Sequence, residues 1–272
     1  MSASTVTLDD IVAAHRHMRE RNPLVQCLTN TVSVQFVANA LLAAGAAPAM
    51  VDNPEEAAGF AGIADAVLVN LGTPTAAQVE SSRLASAAAR DAGKPWVLDP
   101  VGAGGLPWRT QVAVELLVNR PSVIRANASE VMGLAGARGA SRGVDSSARA
   151  EDSVDAARSL LDRADVVAAS GETDHILGPG GMVKVGGGSA LLQRVTATGC
   201  ALGALTAAYC SVAPNALIGA VAAHAHVAAA SEIAARSTSR PGSFAVAFLD
   251  GLDTVDESAI RELVRLDIGW PE

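Results

Sequence analysis

Residues 194–209, RVTATGCALGALTAAY, hold the densest chemistry in this chain. Residues 193–196 read as the end of an extended run, and 201–208 as a helix of small residues that favour helix formation. A turn at Ala197-Thr198-Gly199-Cys200 that opens straight into a helix leaves backbone N–H groups without partners and sets the positive end of the helix dipole beside them. That is a place to hold an anion. The spacing makes Cys200 the first helical residue, a position where a thiol becomes more acidic. Phosphoryl transfer suits this arrangement. A plain strand-to-helix junction with a buried cysteine is the other reading of the same residues.

Further candidates stand where apolar runs end: Cys27-Leu28-Thr29-Asn30, Met50, Asn70-Leu71-Gly72-Thr73, Asp99-Pro100-Val101-Gly102, Arg125-Ala126-Asn127 and Ser170-Gly171-Glu172. Nearly all are rich in polar residues or glycine, which a purely structural rim does not require. Asp99 and Glu130 are oxygen donors of the kind that hold Mg²⁺ alongside several waters. The run Asn127-Ala128-Ser129-Glu130 also has the spacing of a helix capping box. Arg125 suits phosphate oxygens. Met50 either fills the core or lines a pocket, where its polarizable thioether accommodates a heterocycle.

The elements that must position these residues alternate regularly. Apolar runs at 24–28, 46–51, 66–71, 96–100, 122–125 and 166–170 are separated by helical patterns at 8–21, 33–44, 75–92, 110–118, 128–134 and 153–163. Strands without polar alternation, separated by helices, predict an α/β fold with a mostly parallel sheet covered on both faces. Ligands bind beyond the carboxyl ends of such strands. Residues 135–152 read as a surface loop, 175–194 as hairpin-like strands broken by glycine, and 216–236 and 243–266 as long alanine-rich helices that permit close packing, including across a subunit boundary. His15 and His17, two apart, read as surface residues, and His224 and His226 as packing residues. No interdomain linker is evident, so 1–272 reads as one domain.

Composition removes several function classes. A net charge of −8, with lysine only at 94 and 184, gives no footprint for nucleic acid. Cys27, Cys200 and Cys210 show no paired spacing, so neither a zinc site nor a disulfide framework is indicated, which suits a reducing cytoplasm. The first ten residues lack a signal-peptide pattern, and no apolar run is read as long enough for a membrane span, so a soluble cytoplasmic protein is expected. There is no Gly-Lys-Ser/Thr element, and Val101-Gly102-Ala103-Gly104-Gly105 lacks the third spaced glycine and the acidic residue of a dinucleotide fingerprint.

Taken together the motifs resemble the hydroxyethylthiazole kinase family, which has the ribokinase-like fold. They are NPLVQCLTN (22–30), ANALLAAGAAPAM (38–50), NLGT (70–73), PWVLDPVGAG (95–104), IRANASEVM (124–132), SRGVDS (141–146), SGETD (170–174), VTATGCAL (195–202) and PGSF (241–244). The resemblance implies transfer of the ATP γ-phosphate to the hydroxyl of 4-methyl-5-(2-hydroxyethyl)thiazole, with Mg²⁺. It also implies roles. Met50 would contact the thiazole, and Ala197 and Gly199 would meet the substrate at the turn. Arg125, Ser170 and Asn127 would lie at ATP, and Asp99 and Glu130 at the metal and phosphates. Cys200 would stand where related sugar kinases have an aspartate base. A homotrimer with sites between subunits is implied as well. Two positions depart from the family pattern, which usually has glycine at 197 and threonine at 170. A nicotinamide-hydrate dehydratase of the same fold is expected to carry aspartate at 200, and a non-catalytic thiazole-binding protein has no need of Arg125, Glu130 and the turn together.

Overall fold

The structure is a computed structural model that describes residues 6–136 and 149–269. The segment SRGVDS and most of the expected loop at 135–152 lie outside the described residues. In chain order the strands are β1 (Leu24–Leu28), β2 (Ala47–Ala49), β3 (Ala66–Asn70), β4 (Trp96–Asp99), β5 (Val123–Asn127), β6 (Val166–Ser170), β7 (Asp174–Gly178), β8 (Gly181–Gly186) and β9 (Arg265–Gly269). The helices are α1 (Leu8–Arg21), α2 (Val34–Ala44), α3 (Pro54–Ile63), α4 (Ala76–Asp91), α5 (Pro107–Leu116), α6 (Ala128–Leu134), α7 (Val154–Leu160), α8 (Thr198–Val212), α9 (Ala216–Ser237), α10 (Pro241–Thr254) and α11 (Glu257–Leu263).

These strands form one sheet in the order β2-β1-β3-β4-β5-β6-β7-β8-β9. The first six are parallel, as the unalternating apolar runs predict, and β7, β8 and β9 continue the sheet antiparallel. Side chains alternate between the faces of each strand, and the core divides accordingly. Leu68, Val97, Val123 and Ala168 join the helices α1, α2, α8, α9 and α10 on one face. Val69, Leu98, Ile124 and Ala169 join α4, α5, α6 and α7 on the other.

Three expectations are corrected, and one helix, α3, stands where none was expected. The apolar pattern at 243–266 is not one helix: the Asp256 side chain accepts the Ala259 N–H and starts α11 afresh, after which β9 pairs with β8 at the sheet edge. Residues 190–194 form a tight 3₁₀ turn where an extended run was expected. Helix α3 carries too little apolar period to stand out, and its only signals are the Asn53 cap and Pro54 at its first position. Lastly, α9 is long and apolar enough to cross a membrane by length and composition, yet 83% of that stretch is buried inside the protein.

Candidate active site

Asn70, Asp99, Arg125 and Ser170 each lie two residues beyond Leu68, Val97, Val123 and Ala168, so the strand alternation delivers all four to the same face of the sheet. Helix α8 lies across that face. Two glycines one turn apart permit the approach. A Cβ at Gly199 would stand 3.1 Å and 3.3 Å from the guanidinium nitrogens of Arg125, and one at Gly203 would stand 3.3 Å from Asp99 Oδ2.

A continuous set of hydrogen bonds joins these residues. Arg125 donates to Asp99 Oδ2 at 3.4 Å and to Ser170 Oγ at 2.8 Å. Asn70 Nδ2 donates to the same Asp99 oxygen at 2.8 Å, and Asn30 Nδ2 donates to Asn70 Oδ1 at 2.8 Å and to Cys200 Sγ at 3.4 Å. The Asp99 side chain is 1% exposed and that of Arg125 11%. Even so, Asp99 Oδ1 and Arg125 Nε are buried with no partner among the described residues. Leaving such groups unpaired costs about 1–3 kcal/mol each, so a buried acceptor and a buried cationic donor stand open side by side. Burial, reinforced by the charge of Glu130, pushes the Asp99 carboxyl up to about 7, against the pull of Arg125 and Asn70.

The turn before α8 keeps its expected openness. Ala197 precedes the helix with φ 73°, and no side chain caps it, so the first N–H groups of α8 face outward. Cys200 is the third residue of α8 rather than the first, and the expectation of a more acidic thiol is corrected. Burial, then the Asp99 charge, push the thiol up against the opposing influence of Asn30, Ser33 and Arg125.

Glu130 does more than close a capping box. One carboxylate oxygen accepts the Asn127 N–H at 3.0 Å and the other accepts the Gly102 N–H at 2.9 Å, tying the start of α6 to the loop after β4. The Asn127 side chain is engaged in return, its Oδ1 accepting the Glu130 N–H and the Ser129 hydroxyl. Met50 follows β2, half-buried against the same core cluster that α8 covers. Sequence reasoning placed Asn30 and Asn70 at strand ends but gave them no role, although the parallel endings Leu28-Thr29-Asn30 and Val69-Asn70 were there to read. Past Ser170 a cavity of about 620 Å³ opens among Glu172, Thr173, His175, Lys184, Gly188 and Glu232.

Known proteins are similar to this chain in sequence and in fold. The Hydroxyethylthiazole kinase family model matches residues 15–258. The chain is 55% identical to the hydroxyethylthiazole kinase of Rhodococcus erythropolis, over 97% of this chain and 96% of that protein. It belongs to the hydroxyethylthiazole kinase family. The fold agrees: the hydroxyethylthiazole kinase structure from Pyrococcus horikoshii superposes with a TM-score of 0.88 at 34% identity, covering 96% of this chain and 99% of that one. The pyridoxal kinase of Staphylococcus aureus shares the fold more distantly, with a TM-score of 0.57 at 16% identity over 78% of this chain and 88% of its own. For a hydroxyethylthiazole kinase family member the alanine at 197 has a physical consequence. Its φ of 73° is glycine territory, and the Cβ there costs on the order of 1–2 kcal/mol. Ser170 keeps the hydroxyl that Arg125 uses.

Proposed function

We propose that this chain, as one domain over residues 1–272, transfers the γ-phosphoryl group of ATP to the primary hydroxyl of 4-methyl-5-(2-hydroxyethyl)thiazole, giving the phosphate ester used in thiamine biosynthesis and salvage. The observation that carries the reading is the pair of open, buried valences, Asp99 Oδ1 and Arg125 Nε, under the uncapped start of α8. The bond from γ-phosphorus to the bridging oxygen breaks, a bond to the alcohol oxygen forms, and the alcohol proton leaves. Such transfers pass through a loose transition state, so positioning and charge stabilisation outweigh early proton removal. The turn N–H groups and Arg125 supply that stabilisation; Cys200, whose thiol burial keeps protonated, holds the alcohol by hydrogen bond, and the alcohol proton passes to an oxygen of the transferred phosphoryl group.

In this reading Arg125, Ser170 and Asn127 face ATP, Met50 faces the thiazole, and Ala197 and Gly199 line the turn. The cavity beyond Ser170 suits the nucleoside: its glutamates would repel the phosphates, which leaves those to Arg125 and α8. The open Asp99 oxygen fits a hard cation, and Mg²⁺ takes only one or two carboxylates and keeps waters and phosphate oxygens for the rest. Asp99 and Glu130 would hold it, and it would neutralise phosphate charge. The protein acts in the cytoplasm without a nucleic-acid or membrane partner. It assembles as a homotrimer with sites between subunits, a reading supported by the exposed apolar residues Val32, Leu42 and Val246.

A coupled assay of ADP release, with and without the thiazole alcohol, tests the activity: release that ignores the alcohol overturns it. Glu130→Gln tests the metal role and the cap together. Glutamine offers one oxygen where two backbone N–H groups now need acceptors, so a loss of stability of about 1–3 kcal/mol is expected along with most of the activity. Turnover near wild type would remove Glu130 from the metal site.

A further inference from the structure

Cys200 is held by a side chain whose orientation the structure fixes without ambiguity. Asn30 Oδ1 accepts two backbone N–H groups, from Val32 and Ser33, each at 3.1 Å. The other end of that amide is therefore the NH₂ group, and both its protons are placed: one on Asn70 Oδ1 at 2.8 Å, one on Cys200 Sγ at 3.4 Å. Asn70 is fixed in the same way. Its Oδ1 also accepts the Gly72 N–H at 3.0 Å, so its own NH₂ points at Asp99 Oδ2, 2.8 Å away. The relay runs in one direction, from the backbone of the loop after β1, through two buried amides, to the sulfur on one branch and the carboxylate on the other. Gly72 is required for it, since a Cβ there would lie 2.4 Å from Asn30 Nδ2.

The two Oδ1 atoms serve the backbone N–H groups of Val32, Ser33 and Gly72, but nothing in the packing demands the two NH₂ groups. Asn30 and Asn70 are 5% and 6% exposed, and a side chain with an acceptor alone would satisfy those N–H groups without burying two further donors. What the amides do is lock the spacing between the thiol and the carboxylate, the two groups assigned above to the alcohol and to the phosphate end. We propose that Asn30 and Asn70 are positioning residues for the transfer: Asn30 holds the sulfur of Cys200 as a hydrogen-bond acceptor, and Asn70 ties that hold to Asp99. The sulfur is thereby held by Asn30 beside the space before the turn, where the alcohol would stand. This rests on the reading of Cys200 under the proposed function.

Asn30→Ser is the informative variant. A serine hydroxyl still accepts the N–H groups that open the turn, as serine does at helix starts, but it reaches neither Asn70 nor Cys200. In the otherwise unchanged enzyme the expected loss is about tenfold in kcat, the worth of one well-placed hydrogen bond, with KM for both substrates within about twofold. In a Cys200→Ala background the same change should cost less than about twofold, because the group it acts through is gone. Asn70→Ser should behave likewise, less strongly. Iodoacetamide labelling of the folded protein, read by mass spectrometry, gives a second readout that needs no activity. Its rate at Cys200 should change severalfold in Asn30→Ser while Cys210 stays as before. Equal losses in both backgrounds, unchanged labelling of Cys200, or a variant that no longer folds would each overturn the proposal. If the wild-type enzyme shows no alcohol-dependent ADP release, the activity fails, while the labelling result still decides whether Asn30 holds the sulfur.

Discussion

Helix α8 carries a buried polar cluster toward each end, and the two are built on opposite plans. At its start, Asp99, Arg125, Asn70, Asn30 and Cys200 share a hydrogen-bond chain that leaves one carboxylate oxygen and one guanidinium nitrogen open. Nine residues on, roughly 14 Å along the axis, the Tyr209 hydroxyl sits between His15 Nδ1 at 2.8 Å and His226 Nδ1 at 2.9 Å. There the outer ring nitrogens are closed off: His15 Nε2 lies 3.1 Å from the Val255 carbonyl and His226 Nε2 lies 2.9 Å from that of Leu252. Every polar atom of that second cluster has a neighbour at hydrogen-bond distance, with the one Tyr209 proton shared between two ring nitrogens. It clamps α1, α8, α9 and α10 together, with a cavity of about 470 Å³ opening beside it among His15, Arg16, Arg19, Asp253 and Val255. Burial alone therefore does not mark a functional group. The sharper mark is two unmet valences side by side under an uncapped helix start, since single unpaired atoms also occur at Gln26, His175 and His224.

Breaking the open end should show in activity. Gly199→Val puts branched carbon against the Arg125 guanidinium, 3.1 Å from a bare Cβ, and tilts the N–H groups of the turn. Losing one such donor typically costs about 10²- to 10³-fold, and a loss of that size in kcat is expected with the circular dichroism spectrum retained. Cys200→Ala should cost less, roughly 10- to 100-fold, at or below the usual share of a general base. A dead Cys200→Ala beside an active Gly199→Val would invert the ranking.

Breaking the closed end should show in stability. Tyr209→Phe strips the shared partner from two buried imidazoles, and a loss of about 1–3 kcal/mol is expected in a denaturant melt, with kcat within about twofold of wild type. A kcat loss comparable to that of Cys200→Ala would mean that the clamp positions the turn, and the contrast between the two ends would fall.

The two clusters also differ in how far the sequence discloses them. Parallel strands buried on both faces show as apolar runs, so β1, β3, β4, β5 and β6 and the residues at their ends are readable. With them come Asp99, Arg125, Ser170 and Asn70. The Tyr209 clamp is not readable in that way, because its three members stand at 15, 209 and 226 and meet only once α1 docks on α9. His15 did carry a signal: it shares the helical stripe of Ile11 and Met18, which are buried, and the surface assignment passed over that. The second bond of Glu130 to Gly102 and the positive φ of Ala197 depend on tertiary approach and have no local signature.

The smallest expected effect is the sharpest discriminator, because the two ends must titrate with opposite sign. Burial holds His15 and His226 below the ordinary 6.5, His226 well below it. The unfolded chain therefore binds more protons near and below that pH, so their contribution to stability is fully present above about 6.5 and is lost as pH falls toward their folded values. Asp99 runs the other way. Its folded value of about 7 lies above the ordinary 3.8, so the folded protein binds the extra proton, and this contribution is present below about 4 and lost as pH rises to 7. Asp99→Asn keeps an oxygen for Asn70 and Arg125 while removing the charge that burial penalises. Its melting temperature relative to wild type should rise steadily from pH 5 to pH 8, with activity abolished. His226→Gln should show the reverse: a deficit largest at pH 8 that shrinks toward pH 5, where the imidazoles of the unfolded wild-type chain are charged and the native clamp loses its advantage. Melting curves of the three proteins across that range settle it. Parallel lines, with neither difference changing sign or size with pH, would mean that the two clusters are energetically alike.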